Sequence, residues 1–296
     1  MLPRSGPAAR AIPFAALGLS IVSVQFGAAI AKQLFPVVGA VGTTTLRQSI
    51  AAIVLLLLFR PWRNLPPQKT WLTLCGYGVV LGLMNLVFYM ALDRVPLGIA
   101  VAIEFTGPLA IATLSSRHWI DLLWVAMVIF GLLALLPLAG ATQNLDLLGM
   151  ALALAAGVCW ALYIVLGRGA SAAGTTQATA IGMTIAALVV LPVGAVPALP
   201  ALHNPSVLFA ATAIAVLSSV IPYTCEMYAL GRIPVRVFGI LMSIEPVVAA
   251  LAGWIFLHEA LTARQILAIA AIVAASIGTT LTMDRGSIAQ DMKDHP

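Results

Sequence analysis

The segment Ala91-Leu92-Asp93-Arg94-Val95-Pro96 returns later in the chain as Ala229-Leu230-Gly231-Arg232-Ile233-Pro234. Each copy is followed 12 residues on by another proline, Pro108 in the first and Pro246 in the second. Gly42-Thr43-Thr44 and Gly174-Thr175-Thr176 make a further match at a nearly equal offset. The chain therefore reads as two copies of one unit, and hydropathy says what the unit is. Of 296 residues, 61% are hydrophobic and 8% charged, against about 25% charged in an ordinary soluble domain. Fifteen basic and ten acidic residues cannot cover the surface of a soluble globule of this size. Disorder requires the opposite composition. A polytopic helical membrane protein remains, with a mean hydropathy of +1.06.

A spanning helix needs about 20 apolar residues. Ten windows meet this, at about 12–31, 40–59, 71–91, 97–116, 120–139, 147–166, 177–197, 207–229, 236–257 and 264–283. Turn chemistry separates them, as at Phe35-Pro36, Arg60-Pro61, Gly140, Ala173-Gly174, His203-Asn204-Pro205 and Ile233-Pro234. Lys and Arg counted on alternate sides fall eleven to three. Arg4, Arg10, Arg60, Arg63, Lys69, Arg117, Arg168, Arg232, Arg236, Arg285 and Lys293 share one side, and Lys32, Arg94 and Arg264 the other. The positive-inside rule then puts both termini in the cytoplasm. The expected organisation is a first five-helix repeat over 1–140, a second over 141–283 and a cytoplasmic tail over 284–296. Five is odd, so the second repeat enters the bilayer from the opposite side. This is the inverted-topology architecture of many secondary transporters, with the substrate site near the midplane between repeats.

Several other readings fall away. The predicted isoelectric point of about 9.4 does not imply nucleic-acid binding, because no basic run exists. The apolar stretch from Ile12 to Ala31 is too long for a typical signal-peptide core and lacks a clear cleavage site. Cys75, Cys159 and Cys225 are far apart, without metal-ligand spacing, and read as core residues. No paired-aspartate motif, His-x-x-x-His pair or phosphate loop appears. No enzyme, metal or cofactor is therefore expected. Without a Walker motif the energy source is an ion gradient. A membrane potential supplies about 2.3 kcal/mol per charge per 100 mV, so one proton per substrate sustains a roughly tenfold to hundredfold gradient.

Ionisable groups at mid-membrane are costly unless they face a cavity or a partner. Glu104 and Glu245 fall in the middle of the fourth and ninth windows, which are symmetry mates. Both precede a proline, in Glu104-Phe105-Thr106-Gly107-Pro108 and in Glu245-Pro246. Proline frees a backbone carbonyl one turn earlier, so carboxylates and free carbonyls together suit an ammonium group or a proton. The alternative is a neutral, hydrogen-bonded acid in the core. Glu226 is a further candidate, with snorkelling to the interface as its alternative. Arg47 is suited to a substrate carboxylate, or else snorkels outward or pairs with a core glutamate. Gln25, Asn85, Tyr89, Trp160 and Tyr163 line the path or act as interhelical glue. Gly78 and Gly82 form a small-xxx-small packing pair. Lys32 reads as an interfacial anchor, and Glu259, with Thr262 as second candidate, as the cap of the last helix.

These residues carry a resemblance. Val95-Pro96-Leu97-Gly98-Ile99-Ala100-Val101-Ala102 running into Glu104-Phe105-Thr106-Gly107-Pro108-Leu109-Ala110, Gly157-Val158-Cys159-Trp160-Ala161-Leu162-Tyr163-Ile164, and Phe238-Gly239-Ile240-Leu241-Met242-Ser243-Ile244-Glu245-Pro246 are similar to the EamA family of the drug/metabolite transporter superfamily. The resemblance spans essentially the whole chain. It implies ten helices in two inverted repeats, a central cavity and proton-linked export of small metabolites from the cytoplasm across a bacterial inner membrane. It also implies amino acids such as threonine and homoserine as cargo. One departure stands out. Many repeats of the family close with Gly-Glu, whereas here the second has His258-Glu259, and the first, at Arg117-His118-Trp119-Ile120-Asp121, has no glutamate. The expected mechanism is alternating access. Glu104 takes the ammonium or a proton, Glu245 and Glu226 relay, and Arg47 or a half-helix N-terminus takes the carboxylate. The expected partners are the amino acid, protons and the lipid bilayer; a monomer is compatible with the sequence. Competing readings are export of aromatic amino acids, other metabolites or cationic drugs, a membrane-embedded enzyme acting on a lipid or sugar carrier, and a passive channel.

Overall fold

A computed structural model describes residues 7–114, 120–135, 146–171, 173–230, 232 and 241–282. Within them the chain is helical, with no strand. The helices are α1 (Pro7–Lys32), α2 (Phe35–Phe59), α3 (Trp71–Leu92), α4 (Leu97–Glu104), α5 (Thr106–Leu114), α6 (Ile120–Leu135), α7 (Leu147–Ser171), α8 (Thr175–Leu202), α9 (Pro205–Ala215), α10 (Ile221–Leu230), α11 (Glu245–Leu257) and α12 (Ala263–Thr282). A π-helical turn, Val216–Val220, joins α9 to α10. Six helical stretches are long and apolar enough to cross a membrane: Ile12–Lys32, Phe35–Phe59, Gln68–Leu92, Leu147–Ser171, Thr175–Leu202 and Pro205–Ala229. Leu97–Ala110, Glu245–Leu257 and Ala263–Gly278 are shorter apolar helices. The protein is thus an all-helical polytopic membrane protein. Its outer surface agrees: Leu72 is 86% exposed, Phe209 77% and Val196 75%, a display of apolar groups that water does not tolerate. The boundary expected at 140/141, the break at Ile233-Pro234, the tail 284–296, and Arg4, Arg117, Arg236, Arg285 and Lys293 lie outside the described residues.

The helices end where local chemistry ends them. The window expected to begin at residue 40 follows Gly39, whose φ of 69° interrupts α2, a conformation that favours glycine. Asn204 caps α9, its Oδ1 accepting from the Ser206 and Val207 amides, with Pro205 at the first helical position. Asp146 caps α7, accepting from the Leu148 amide at 2.8 Å, and pairs with Arg94 at 2.7 Å. The Arg94 guanidinium holds the Asp146 carboxyl below its ordinary value. A depressed folded-state value means the clasp is fully present at neutral pH and is lost only as pH falls through that lowered value.

The cap of α12 corrects an expectation. Thr262 and Gln265 form a reciprocal capping box: Thr262 Oγ1 accepts from the Gln265 amide at 3.3 Å, and Gln265 Oε1 from the Thr262 amide at 2.8 Å. Glu259 is therefore not the cap of α12. Its Oε2 accepts from the Leu97 amide at 2.8 Å, at the start of α4, and its Oε1 pairs with Lys32 Nζ at 2.7 Å. Lys32 also donates to the Val95 carbonyl at 3.2 Å. The lysine expected as an anchor instead knots the ends of α1 and α11 to the start of α4.

Helix pairing runs across the chain. α2 packs along α8, α3 along α7 and α8, α6 along α12, α1 along α10 and α11, and α4 along α7 and α11. Glycines set the closest crossings. A Cβ on Gly157 would lie 2.5 Å from the Glu104 carbonyl oxygen, and one on Gly107 1.9 Å from the Gly157 carbonyl oxygen. Gly78 and Gly82 face Ile185 and Ala186 of α8, the packing role expected of that pair.

Candidate functional site

The crossing helices enclose a cavity of about 70 Å³, lined by Val24, Gln25, Ala28, Arg47, Met84, Asn85, Phe88, Tyr89, Glu104, Trp160, Tyr163, Pro222, Tyr223, Glu226 and Glu245. This is well above the about 10–15 Å³ that a single water needs. All nine residues singled out from the sequence stand on this wall. They come from α1, α2, α3, α4, α7, α10 and α11, which no local pattern could have brought together.

Arg47 is 2% exposed, which removes the snorkelling alternative. Its Nη1 donates to the Ser218 carbonyl at 3.0 Å and to Ser219 Oγ at 2.9 Å, and its Nη2 to Asn85 Oδ1. The guanidinium lies over the Tyr89 ring, 4.5 Å from its centroid. Pro222 follows the π-helical turn, in which the Ile221 amide reaches the Val216 carbonyl five residues back. In that register the amide hydrogen that Pro222 lacks would serve the Leu217 carbonyl, which is met instead at 2.6 Å by Ser23 Oγ of α1. Asn85 is fixed in turn, donating to the Leu81 carbonyl at 2.8 Å and to the Tyr223 hydroxyl at 2.9 Å. The ion pairs among the described residues are Lys32–Glu259 and Arg94–Asp146, so Arg47 does not pair with a core glutamate. It is a buried cation held by neutral groups, and its Nε has no hydrogen-bond partner.

The three glutamates are buried on the same wall. Glu104 ends α4, where the chain turns at Phe105 before α5. Its carbonyl, freed by Pro108, abuts Gly157. Glu245 opens α11 after a turn at residues 243–244, and its Oε2 has no partner. Both acids thus sit at helix interruptions rather than inside continuous helices. Glu226 is 7% exposed and belongs to the cavity rather than the interface. Aromatic packing fixes the rest. Trp160 meets Phe105 edge-on at 5.6 Å between centroids, and Tyr163 lies between the rings of Tyr77 and Tyr223 at 5.2 and 6.1 Å.

Sequence reasoning missed Tyr223, together with Pro222, Met84, Phe88, Val24 and Ala28. A signal for Tyr223 existed: three residues before Glu226, it shares that residue's helix face. A buried cation, buried acids and unpartnered hydrogen-bonding atoms around a small space can receive a small zwitterion.

Comparison with known proteins agrees with this chemistry. Residues 147–281 match the model of the EamA-like transporter family. The threonine/homoserine exporter RhtA of Salmonella typhimurium is 50% identical over 274 residues, covering 93% of this chain and 93% of the relative. RhtA of Escherichia coli K12 is 48% identical over 281 residues, covering 95% of each. A solved crystal structure aligns over 92% of this chain and 98% of its own at a TM-score of 0.61 and 20% identity, a likeness of fold alone.

Proposed function

Because this chain belongs to the EamA-like transporter family, we propose that it exports small hydroxylated amino acids, threonine and homoserine among them, from the cytoplasm across a bacterial inner membrane by proton-coupled alternating access. The observation that carries the reading is the buried Arg47 guanidinium, without a carboxylate partner, in one cavity with Glu104, Glu226 and Glu245. A substrate carboxylate completes the arginine, whose planar fork suits it. An acid of the same cavity takes the ammonium or, in its absence, a proton. Export and proton entry then compete for one acid, and that competition couples them. Glu104, at the break between α4 and α5, is that acid, with Glu245 and Glu226 as relays. Gln25, Asn85, Tyr89, Trp160 and Tyr163 shape the cavity.

The proposed frame is ten spans in two inverted repeats, 1–140 and 141–283, with both termini cytoplasmic. Its support is the pairing of helices. Let α1, α2, α3, α4–α5 and α6 exchange with α7, α8, α9–α10, α11 and α12. The α2–α8, α4–α11 and α6–α12 contacts map onto themselves, and α3–α7 maps onto the contact of α10 with α1. Lys32 and Arg94, two basic residues of the expected outer side, also lie close together, Lys32 on Glu259 and on the Val95 carbonyl and Arg94 on Asp146. Arg47 argues against a pump for cationic drugs, which an unpaired buried cation would repel.

The test is uptake of labelled threonine into inverted proteoliposomes. Accumulation driven by a pH gradient and collapsed by an uncoupler is expected. Glu104→Gln should lose gradient-driven accumulation by tenfold or more. Unchanged gradient-driven accumulation in Glu104→Gln overturns the role of that residue.

A further inference from the structure

Another cavity, of about 410 Å³, opens where α2 ends, and transport gives it no task. Leu57, Leu58 and Phe59 line one part of it, and Arg60, Arg63, Asn64 and Gln177 the other. Leu57 and Leu58 are 63% and 61% exposed, an apolar display that belongs against lipid. Trp62, also exposed, stands in the turn between the two arginines, where an interfacial aromatic is at home. The cavity therefore straddles the boundary between acyl chains and headgroups. Its apolar wall lies on the one side and its guanidinium groups on the other.

The polar wall is built from donors. Arg60 closes α2 in a left-handed conformation, φ 47°, of a kind usually left to glycine. Its Nε donates to the Leu57 carbonyl at 3.3 Å, which keeps the guanidinium at the helix end. The turn Pro61–Arg63 packs against α8, the helix that carries Gln177. Gln177 Oε1 is spent on the Thr176 hydroxyl at 2.9 Å, so what Gln177 can offer an anion is its amide nitrogen, a donor. No acid balances the arginines. The ion pairs among the described residues, Lys32–Glu259 and Arg94–Asp146, lie elsewhere. The chain holds no Asp or Glu between Arg47 and Asp93, or between Asp146 and Glu226. Two planar forks without a carboxylate suit a phosphate. A free phosphate would use the arginines alone, whereas a phospholipid uses the arginines and the leucines together. A zwitterionic headgroup would find no acid for its ammonium. We propose that this cavity binds the phosphodiester headgroup of an anionic phospholipid, with an acyl chain laid along Leu57 and Leu58. Basic pockets between membrane helices receive such headgroups elsewhere, and here the lipid clamps the end of α2 to the start of α8.

A ligand that binds only the folded state raises the melting temperature. The full chain, purified in dodecylmaltoside, is melted with dioleoylphosphatidylglycerol, with dioleoylphosphatidylcholine and with inorganic phosphate. Phosphatidylglycerol should raise the melting temperature by about 3 °C or more, and the other two by less than about 1 °C. The double variant Arg60→Gly with Arg63→Gln should keep the lipid-free melting temperature and lose most of that increment. Lys69→Gln with Arg168→Gln removes as much charge from the expected cytoplasmic side but none from the cavity wall, and it should keep the increment. Equal shifts from the two lipids overturn the proposal. An equal shift from inorganic phosphate assigns the arginines to a free anion and overturns the lipid. Equal loss in both double variants makes the response one of general surface charge and overturns the site. If the Arg60 and Arg63 variant does not fold, the wild-type series and the Lys69 and Arg168 variant decide: an increment lost in the latter overturns the proposal.

Discussion

Burying Arg47 strips the hydration from a full charge, and three neutral acceptors with one aromatic face offset that cost. Two of the acceptors, Ser218 and Ser219, lie 171 and 172 residues away in the chain, so the arginine also locks α2 to the π-helical turn. Arg47→Lys keeps the charge but has one nitrogen where the fork had two in use. It should lose tenfold or more of threonine transport and destabilise the protein by about 1–3 kcal/mol as Asn85 or Ser219 loses its donor, read from transport and thermal melting in detergent. The residues of this site were legible because an acid, an amide or an arginine in an apolar run is conspicuous on energetic grounds. Tyr223 was passed over although it shares the face of Glu226, and its tie to the site is the bond of its hydroxyl to Asn85, 138 residues away in the chain. The partners of Glu259 were illegible for another reason. Glu259 looked like a cap for the helix that follows it, and only tertiary structure brings Leu97 and Lys32 within its reach.

At the scale of helices, the breaks are as telling as the spans. Hydropathy located the six helical stretches long enough to cross a membrane and the three shorter apolar helices, since the energy of burying apolar surface in lipid accumulates along the chain. It could not show that Glu104 ends one helix and Glu245 begins another, because that depends on how Phe105 and Ile244 turn. The proline at each place was the visible trace. The α4–α5 break is wedged on Gly157, so its geometry depends on the absence of one methyl group. Gly157→Ala should displace Glu104, destabilise the protein by about 1–3 kcal/mol and impair transport. Gly18→Ala in α1, where an added Cβ meets nothing within 4 Å, should instead stabilise by about 0.5–1 kcal/mol. Melting temperatures of the two variants, measured side by side, check both signs.

Across the whole molecule, the proposed internal repeat rests in the sequence on two short matches, and these do not say how its helices pair. Sequence similarity says that two units are alike and says nothing about which helix of one touches which helix of the other. The helices of the first half that make the broadest contacts make them with the second half: α2 with α8, α3 with α7, α6 with α12. A protein assembled this way should tolerate a cut between its halves. Chains ending after Leu135 and starting before Asp146, co-expressed, should restore threonine export, while either alone should not; the assay is growth of cells on inhibitory threonine. The same pairing has a consequence for biosynthesis. When the ribosome has released the chain as far as Leu135, Arg47 has been made and Ser218 and Ser219 do not yet exist. For that interval the charge has only Asn85 and Tyr89 of α3 to lean on, and its remaining acceptors arrive with the π-helical turn.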